Sequence, residues 1–239
     1  MSRRVGVLGG MFDPVHSGHV EVALAVQSEL KLDEVRLVPC AIPNHKASAS
    51  AGAMHRANML RLAIDGLPGL MVDERELQRK GTSYTVDTLA EMRAQFPATS
   101  LVFIQGEDSF RTLPQWHHWR QLLEYAHICV MSRRSEEGEV LYRPELDALL
   151  LEYGVDSVET LFQAQQGYIL QLDEVDNPVS STMLREALLQ RPSLANAVNK
   201  ADSHCAGSGT TTPGKALDSS WLDSAVLSYI EQHALYREH

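Results

Sequence analysis

The stretch Gly9-Gly10-Met11-Phe12-Asp13-Pro14-Val15-His16-Ser17-Gly18-His19 (GGMFDPVHSGH, residues 9–19) decides how the rest of the chain is read. Two glycines end the apolar run Val5-Gly6-Val7-Leu8, which reads as a buried strand. Asp13-Pro14 makes a turn, and Ser17 offers an N-cap to a helix whose Val22, Val26 and Leu30 recur on one stripe. Strand, glycine turn and helix start together suit an anion. Glycine lets the backbone approach a ligand, and a helix N-terminus presents free N–H groups and the positive end of its dipole. His16, just before the helix, and His19, in its first turn, can both donate hydrogen bonds to phosphate oxygens. Two other readings stay open. One is a metal site of His16, His19 and Asp13, for which no further ligand is well spaced. The other is a strand–helix turn with incidental histidines. The dinucleotide fingerprint GxGxxG is absent.

Outward from this stretch, short apolar runs alternate with amphipathic segments. Strands are expected at Glu34–Val38, Leu101–Gln105, Ile128–Met131 and Tyr168–Leu172. Helices are expected at Met54–Ile64, Thr85–Phe96 and Trp116–Leu123, and from the N-cap Ser180 to about Leu189. Continuous apolar strands alternating with helices predict an α/β fold, a doubly wound (Rossmann-like) parallel sheet with helices on both faces. Ligands of such folds sit beyond the carboxyl ends of the strands. The 239 residues are read as one domain. Residues 191–220, rich in Ser, Thr, Gly, Ala and Asn, read as a mobile surface loop, and Trp221–Tyr236 as a C-terminal helix docked on the domain. Within 191–220, Gly209–Lys215 fits GxxxxGK, but Ala216 replaces the required hydroxyl residue and no strand precedes it.

The net charge of −10 argues against a general nucleic-acid-binding surface, so positive charge for phosphates must be local. Cys40, Cys129 and Cys205 lack metal or disulfide spacing and read as small hydrophobes. No segment approaches the ~20 apolar residues of a membrane span, and the first residues do not read as a signal peptide. A cytoplasmic protein with no obligatory protein partner is expected.

Residues 9–19 resemble GG[TS]FDPxHxGH, the signature of the HxGH nucleotidyltransferases. Ser180-Ser181-Thr182-Met183-Leu184-Arg185 resembles that superfamily's second signature, SSTxxR, in the expected order. Read without the resemblance, Ser180–Thr182 offer hydroxyls and helix-start amides, and Arg185, one turn in, can reach phosphate. Pro43-Asn44-His45-Lys46 resembles the PPHK loop, and ELQRKGTSYTVDT (residues 76–88) the E…R…SYTxDTL segment, of the nicotinate mononucleotide adenylyltransferases. Gly106-Glu107-Asp108-Ser109 resembles GADS, Pro114–Trp119 resembles PxWxxW, and AVLSYIEQHALY the family's last helix. The resemblance spans the chain except about 135–165 and 191–220.

The resemblance implies transfer of the adenylyl group of ATP, carried with Mg²⁺, to the phosphate of nicotinate mononucleotide. His16, His19, Lys46 and Arg185 would carry the chemistry by positioning and charge stabilisation. ATP would meet Gly9, Gly10, Met11, Phe12, His16, His19, Gly106, Asp108, Arg133, Ser181, Thr182 and Arg185. Lys46, Tyr84, Thr85 and Trp116 would hold the nicotinate nucleotide, with no protein-built metal site. Trp116, on its own, reads either as a core tryptophan or as a stacking platform for a pyridinium ring. Arg133 and Arg134 are equally available to frame the adenine, or are a solvated pair. Met11 for Thr/Ser, Asn44 for the second proline of PPHK and Glu107 for a small residue depart from the family pattern. Rival readings are an enzyme preferring nicotinamide mononucleotide or accepting both, a phosphopantetheine adenylyltransferase, and a non-catalytic nucleotide-binding regulator.

Overall fold

Val5, Val7 and Leu8 lie in β1 (Arg4–Gly10), the central strand of a seven-stranded sheet. The computed structural model describes residues 2–42, 49–132, 142–173, 177–190 and 220–237. Lys46, Arg133, Arg134 and the 191–219 part of the loop therefore lie outside the described residues, as do Asn44, Cys205 and Gly209–Lys215. The other strands are β2 (Glu34–Pro39), β3 (Leu70–Val72), β4 (Ser100–Gly106), β5 (His127–Ser132), β6 (Gly154–Val155) and β7 (Ile169–Asp173). Their order is β3-β2-β1-β4-β5-β7-β6, with every pair parallel. Gly9 pairs with Val38 on one side, and Leu8 with Ile104 on the other. Strand order reverses between β1 and β4, so the crevice of this doubly wound sheet opens beyond Gly10 and Gly106.

Successive side chains of a strand point to opposite faces, and the burial follows that period. Leu8, Val102 and Ile104 pack on one face with α1 (Ser17–Glu29), α2 (Ala53–Ala63), α9 (Ser181–Leu189) and α10 (Ser224–Gln232). Val7, Leu101 and Phe103 pack on the other with α4 (Thr85–Gln95), α6 (Leu122–Tyr125) and α7 (Pro144–Tyr153). The remaining helices are short: α3 (Arg75–Gln78), α5 (Glu107–Arg111) and α8 (Val158–Leu161). Each core side chain buried this way contributes about 1.5–3 kcal/mol. No described helix is long and apolar enough to cross a membrane. Cys129 is buried as a small hydrophobe, its thiol pushed up to about 12 by desolvation, while Cys40 is half-buried.

Three boundaries differ from the sequence expectation. The residue capping α1 is His16, not Ser17: the Ser17 hydroxyl accepts from Asn177 Nδ2 at 3.1 Å rather than from a helix amide, and the Ser17 N–H donates to the carbonyl of Trp221 at 2.9 Å. In place of the helix expected over Trp116–Leu123, a 3₁₀ turn at Leu113–Gln115 precedes the stretch, and a second at Trp119–Gln121 leads into α6. His118 breaks the expected helix with φ of 47°, and tertiary packing overrides the local pattern: His117 lies 4.3 Å from the Tyr84 ring, and Trp116 meets Phe103 edge-on. The C-terminal helix covers Ser224–Gln232, capped by Asp223, and Ala234 and Tyr236 leave it in the left-handed region. β3, β6, α3, α5, α7 and α8 have no counterpart in the sequence expectation.

Candidate active site

Phe12 adopts φ of 48° and turns its ring, 1% exposed, back under the glycine turn. A Cβ at Gly10 would lie 3.0 Å from that ring, which is why the second glycine is needed. The Phe12 ring then supports His19 edge-on at 5.0 Å. The Phe12 side chain is thus core, and only its backbone can meet a ligand. The His16 and His19 rings lie 3.7 Å apart between centres, tilted by 36°. The His16 N–H donates to His19 Nδ1 at 3.3 Å, which leaves the proton of a neutral His19 on Nε2. Burial lowers the His16 imidazole to about 4, so it is neutral near pH 7, and its Nδ1 is buried without a hydrogen-bond partner.

The two sequence signatures meet physically. Ser181 Oγ donates to the carbonyl of Pro14 at 2.9 Å, and Arg185 Nη1 to that of Asp13 at 2.7 Å. Arg185 Nη2 donates to Thr182 Oγ1 at 3.1 Å, and Ser180 caps α9 by accepting from the Met183 N–H. The second signature therefore holds the backbone of the first. The Ser181 hydroxyl and one arm of Arg185 serve that purpose.

A cleft of about 490 Å³ opens beside the glycine turn. Gly9, Gly10, Met11, Tyr84, Thr85, Asp108 and Trp116 line it, so residues spread over 108 positions converge on one space. At Gly106, the N-cap of α5, a Cβ would meet nothing within 4 Å, so the space before it is open. Glu107, the extra acid, is held by Arg111 at 2.6 Å, which offsets its charge. Tyr84 is the N-cap of α4, and no side chain caps that helix. The first amides of α4 thus remain available where Tyr84 and Thr85 meet the cleft, a setting suited to a carboxylate. Trp116 reconciles its two readings: one edge packs on Phe103 in the core, Nε1 donates to Thr112 Oγ1, and the ring lines the cleft.

Sequence reasoning missed four residues here. Glu76 lines the cleft, buried, and its carboxylate accepts from Thr88 Oγ1 at 2.7 Å. Desolvation raises its pKa above the usual range. Arg56, 1% exposed, donates to the carbonyls of Met11, Cys40 and Ala51. Tyr236 donates to the Asp13 carboxylate. Asn177 bridges Ser17 and Glu21 of α1. Arg56 left a trace in the sequence as a charge inside the apolar stripe of α2, and Glu76 and Tyr236 stand in segments that carry the family resemblance, though the sequence assigns a role to neither. Among the described residues no three His, Cys, Asp or Glu side chains cluster as a metal site, and Asp13 is spent on hydrogen bonds rather than free for a metal ion.

The model of the Cytidylyltransferase-like family matches residues 7–187. The relative named "Probable nicotinate-nucleotide adenylyltransferase" from Pseudomonas fluorescens is 37% identical over 238 residues, covering 99% of each chain. The protein of that name from Aeromonas salmonicida is 41% identical over 184 residues, 77% of this chain and 85% of its own. Plasmodium falciparum nicotinic acid mononucleotide adenylyltransferase, solved in complex with NaAD, superposes with a TM-score of 0.63. It is 16% identical, over 98% of this chain and 97% of that one, a likeness of fold. The same protein complexed with APC gives 0.62. With a relative aligned along almost its whole length and the two signatures bonded to each other, this chain belongs to the nicotinate-nucleotide adenylyltransferases of the Cytidylyltransferase-like family.

Proposed function

We propose that the enzyme transfers the adenylyl group of ATP to nicotinate mononucleotide, giving nicotinate adenine dinucleotide and pyrophosphate, in cytoplasmic NAD biosynthesis. The observation that carries this reading is the single cleft that joins the glycine turn to the uncapped start of α4 and the ring of Trp116. An oxygen of the acceptor's 5′-phosphate attacks the α-phosphorus. A new P–O bond forms as the bond to the bridging oxygen of the β-phosphate breaks, and pyrophosphate leaves with that electron pair. A phosphate monoester is already ionised near neutral pH, so neither a general base nor a protein nucleophile is required. Catalysis then rests on position and charge.

His19 Nε2–H is oriented toward developing charge by the cap on its other nitrogen. Neutral His16 donates one N–H, or takes up a proton when phosphate arrives. The free capacity of Arg185 and the hydroxyl of Thr182 serve the outer phosphates, Asp108 accepts from ribose hydroxyls, and Lys46 and Arg133 complete the phosphate and adenine sides. Mg²⁺ would arrive on the ATP phosphates and keep most of its waters, which suits a cleft without a carboxylate cage. On the acceptor side, Trp116 stacks on the pyridine ring, and the amides of Tyr84 and Thr85 receive the nicotinate carboxylate. A carboxamide would turn its own N–H₂ toward those donors, and mismatched buried polar groups are costly.

The test is pyrophosphate release with ATP and Mg²⁺ and either nicotinate or nicotinamide mononucleotide. A large preference for the acid is expected, with release from either substrate abolished by EDTA. Equal rates would overturn the carboxylate site, and silence with both would overturn the acceptor.

A further inference from the structure

Asp13 belongs to the phosphate turn, yet its carboxylate, in a residue 4% exposed, is occupied on all sides by other parts of the chain. Oδ2 accepts from the Ser50 N–H at 2.7 Å, and Oδ1 from the Ala51 N–H at 3.1 Å. Oδ1 also accepts from the Tyr236 hydroxyl at 2.7 Å, across 223 positions of sequence. The Arg56 guanidinium completes the arrangement. Nη1 donates to the Met11 carbonyl inside the turn, and Nη2 and Nε to Cys40 and Ala51, on either side of the segment that contains Lys46. Tyr236 reaches this position with φ of 57°, a conformation a bulky side chain rarely adopts, so the contact rather than the local backbone preference sets its place. Desolvation and the neighbouring carboxylate push its hydroxyl far above the ordinary range, so it stays a donor at every pH the enzyme meets. The element that delivers it is anchored on α2, where the Tyr229 hydroxyl bonds His55 and Asn58, and on α1, where the Trp221 carbonyl takes the Ser17 N–H.

We infer that Tyr236 is a positioning residue for the transfer reaction: with Asp13 and Arg56 it forms a buried brace that holds the turn of residues 11–14, and through it His16 and His19, in register with the α-phosphate. The inference rests on the adenylyl-transfer reading. It goes beyond packing, because the Tyr236 hydroxyl bonds Asp13 of the turn, on the ATP side, whereas α4 and Trp116, on the acceptor side, are held by different contacts, and the flanks of the Lys46 segment are held by Arg56 and Asp13 rather than by Tyr236.

Tyr236→Phe removes one oxygen and leaves the ring. Its kcat/KM for ATP should fall about tenfold, and KM for nicotinate mononucleotide should stay within twofold. Asp13→Ala removes the acceptor of the Tyr236 hydroxyl together with those of Ser50 and Ala51 and should lower the ATP parameter at least as far, and the double variant should be no worse than Asp13→Ala, since the Tyr236 contact is already gone in that single. Leu161→Ala, a buried site of α8, which packs on β7, is the control: it should lower the melting temperature without changing either kinetic parameter per folded molecule. The inference is overturned if Tyr236→Phe keeps wild-type ATP kinetics, or if both substrates' parameters shift alike. It is also overturned if Leu161→Ala mimics it. If the wild type itself releases no pyrophosphate, the transfer reading is what fails. The brace is then decided by affinity for a non-hydrolysable ATP analogue: about tenfold weaker in Tyr236→Phe supports it, and unchanged affinity refutes it.

Discussion

His19 offers a perturbation in which structure and chemistry separate atom by atom. Its Nδ1 caps the start of α1 by accepting the His16 N–H at 3.3 Å, and its Nε2 is the donor assigned to the α-phosphate. An asparagine Oδ1 occupies nearly the place of Nδ1, so His19→Asn keeps the cap and deletes the donor. Loss of one oriented transition-state donor costs about 2.7–4 kcal/mol, or roughly 10²–10³ in kcat. His19→Gln does the reverse: its amide nitrogen reaches about as far as Nε2, but nothing replaces Nδ1. Losing a cap costs about 0.5–2 kcal/mol of stability. Ring packing on Phe12 and His16 is lost in both variants, so that term cancels between them. Initial-rate pyrophosphate release at saturating substrates, paired with urea unfolding, reads both quantities. The expected outcome is a folded Asn variant slowed 10²–10³-fold, and a Gln variant less stable but faster than the Asn variant. An Asn variant within threefold of wild-type kcat beside an inactive Gln variant would refute the reasoning, because the cap rather than the donor would then carry the activity.

Two further outcomes are expected. His127 is fully buried, its Nδ1 accepting from the Tyr168 N–H and its Nε2 facing the Ala164 carbonyl, and desolvation lowers it from 6.5 to about 4. The unfolded chain takes up a proton below pH 6.5 that the native state refuses until about pH 4. Stability is therefore fully present above pH 6.5 and falls as pH drops, by up to ~1.4 kcal/mol per pH unit from this one residue. His16, lowered in the same way, adds to the loss. His127→Gln should flatten urea-measured stability between pH 6.5 and 5 by about 2 kcal/mol, and an unchanged slope would show that His127 does not titrate as buried. Trp116→Ala should raise KM for nicotinate mononucleotide roughly 5–30-fold, the equivalent of about 1–2 kcal/mol of stacking, with little change for ATP. A shift confined to ATP would place the indole on the wrong substrate.

Some of this protein is written locally and some is not. The strand β1, the glycine turn and the amphipathic stripe of α1 follow from period, glycine chemistry and adjacency, and the parallel sheet from the alternation of apolar runs with helices. The Ser180 cap was legible too, because a hydroxyl accepting from an amide three residues on is a local bond. Local rules failed where distant groups outbid them. Ser17 leaves the cap to His16, its hydroxyl engaged by Asn177 and its N–H by the Trp221 carbonyl, and Trp116–Leu123 gave up a helix to aromatic packing against Tyr84 and Phe103.

Sequence alone determined the sheet class, the two phosphate signatures and the residue types that meet in the cleft, since each depends on spacing within a few turns of chain. Only the tertiary structure decided what those residues do with their bonding capacity. It spent Ser181 and half of Arg185 on the first signature's carbonyls, closed Asp13 against Tyr236, and buried Arg56 among three carbonyls. The physical reason is that a buried polar group must find a partner wherever the fold places one, and partners up to 223 positions apart leave no periodic trace in the chain.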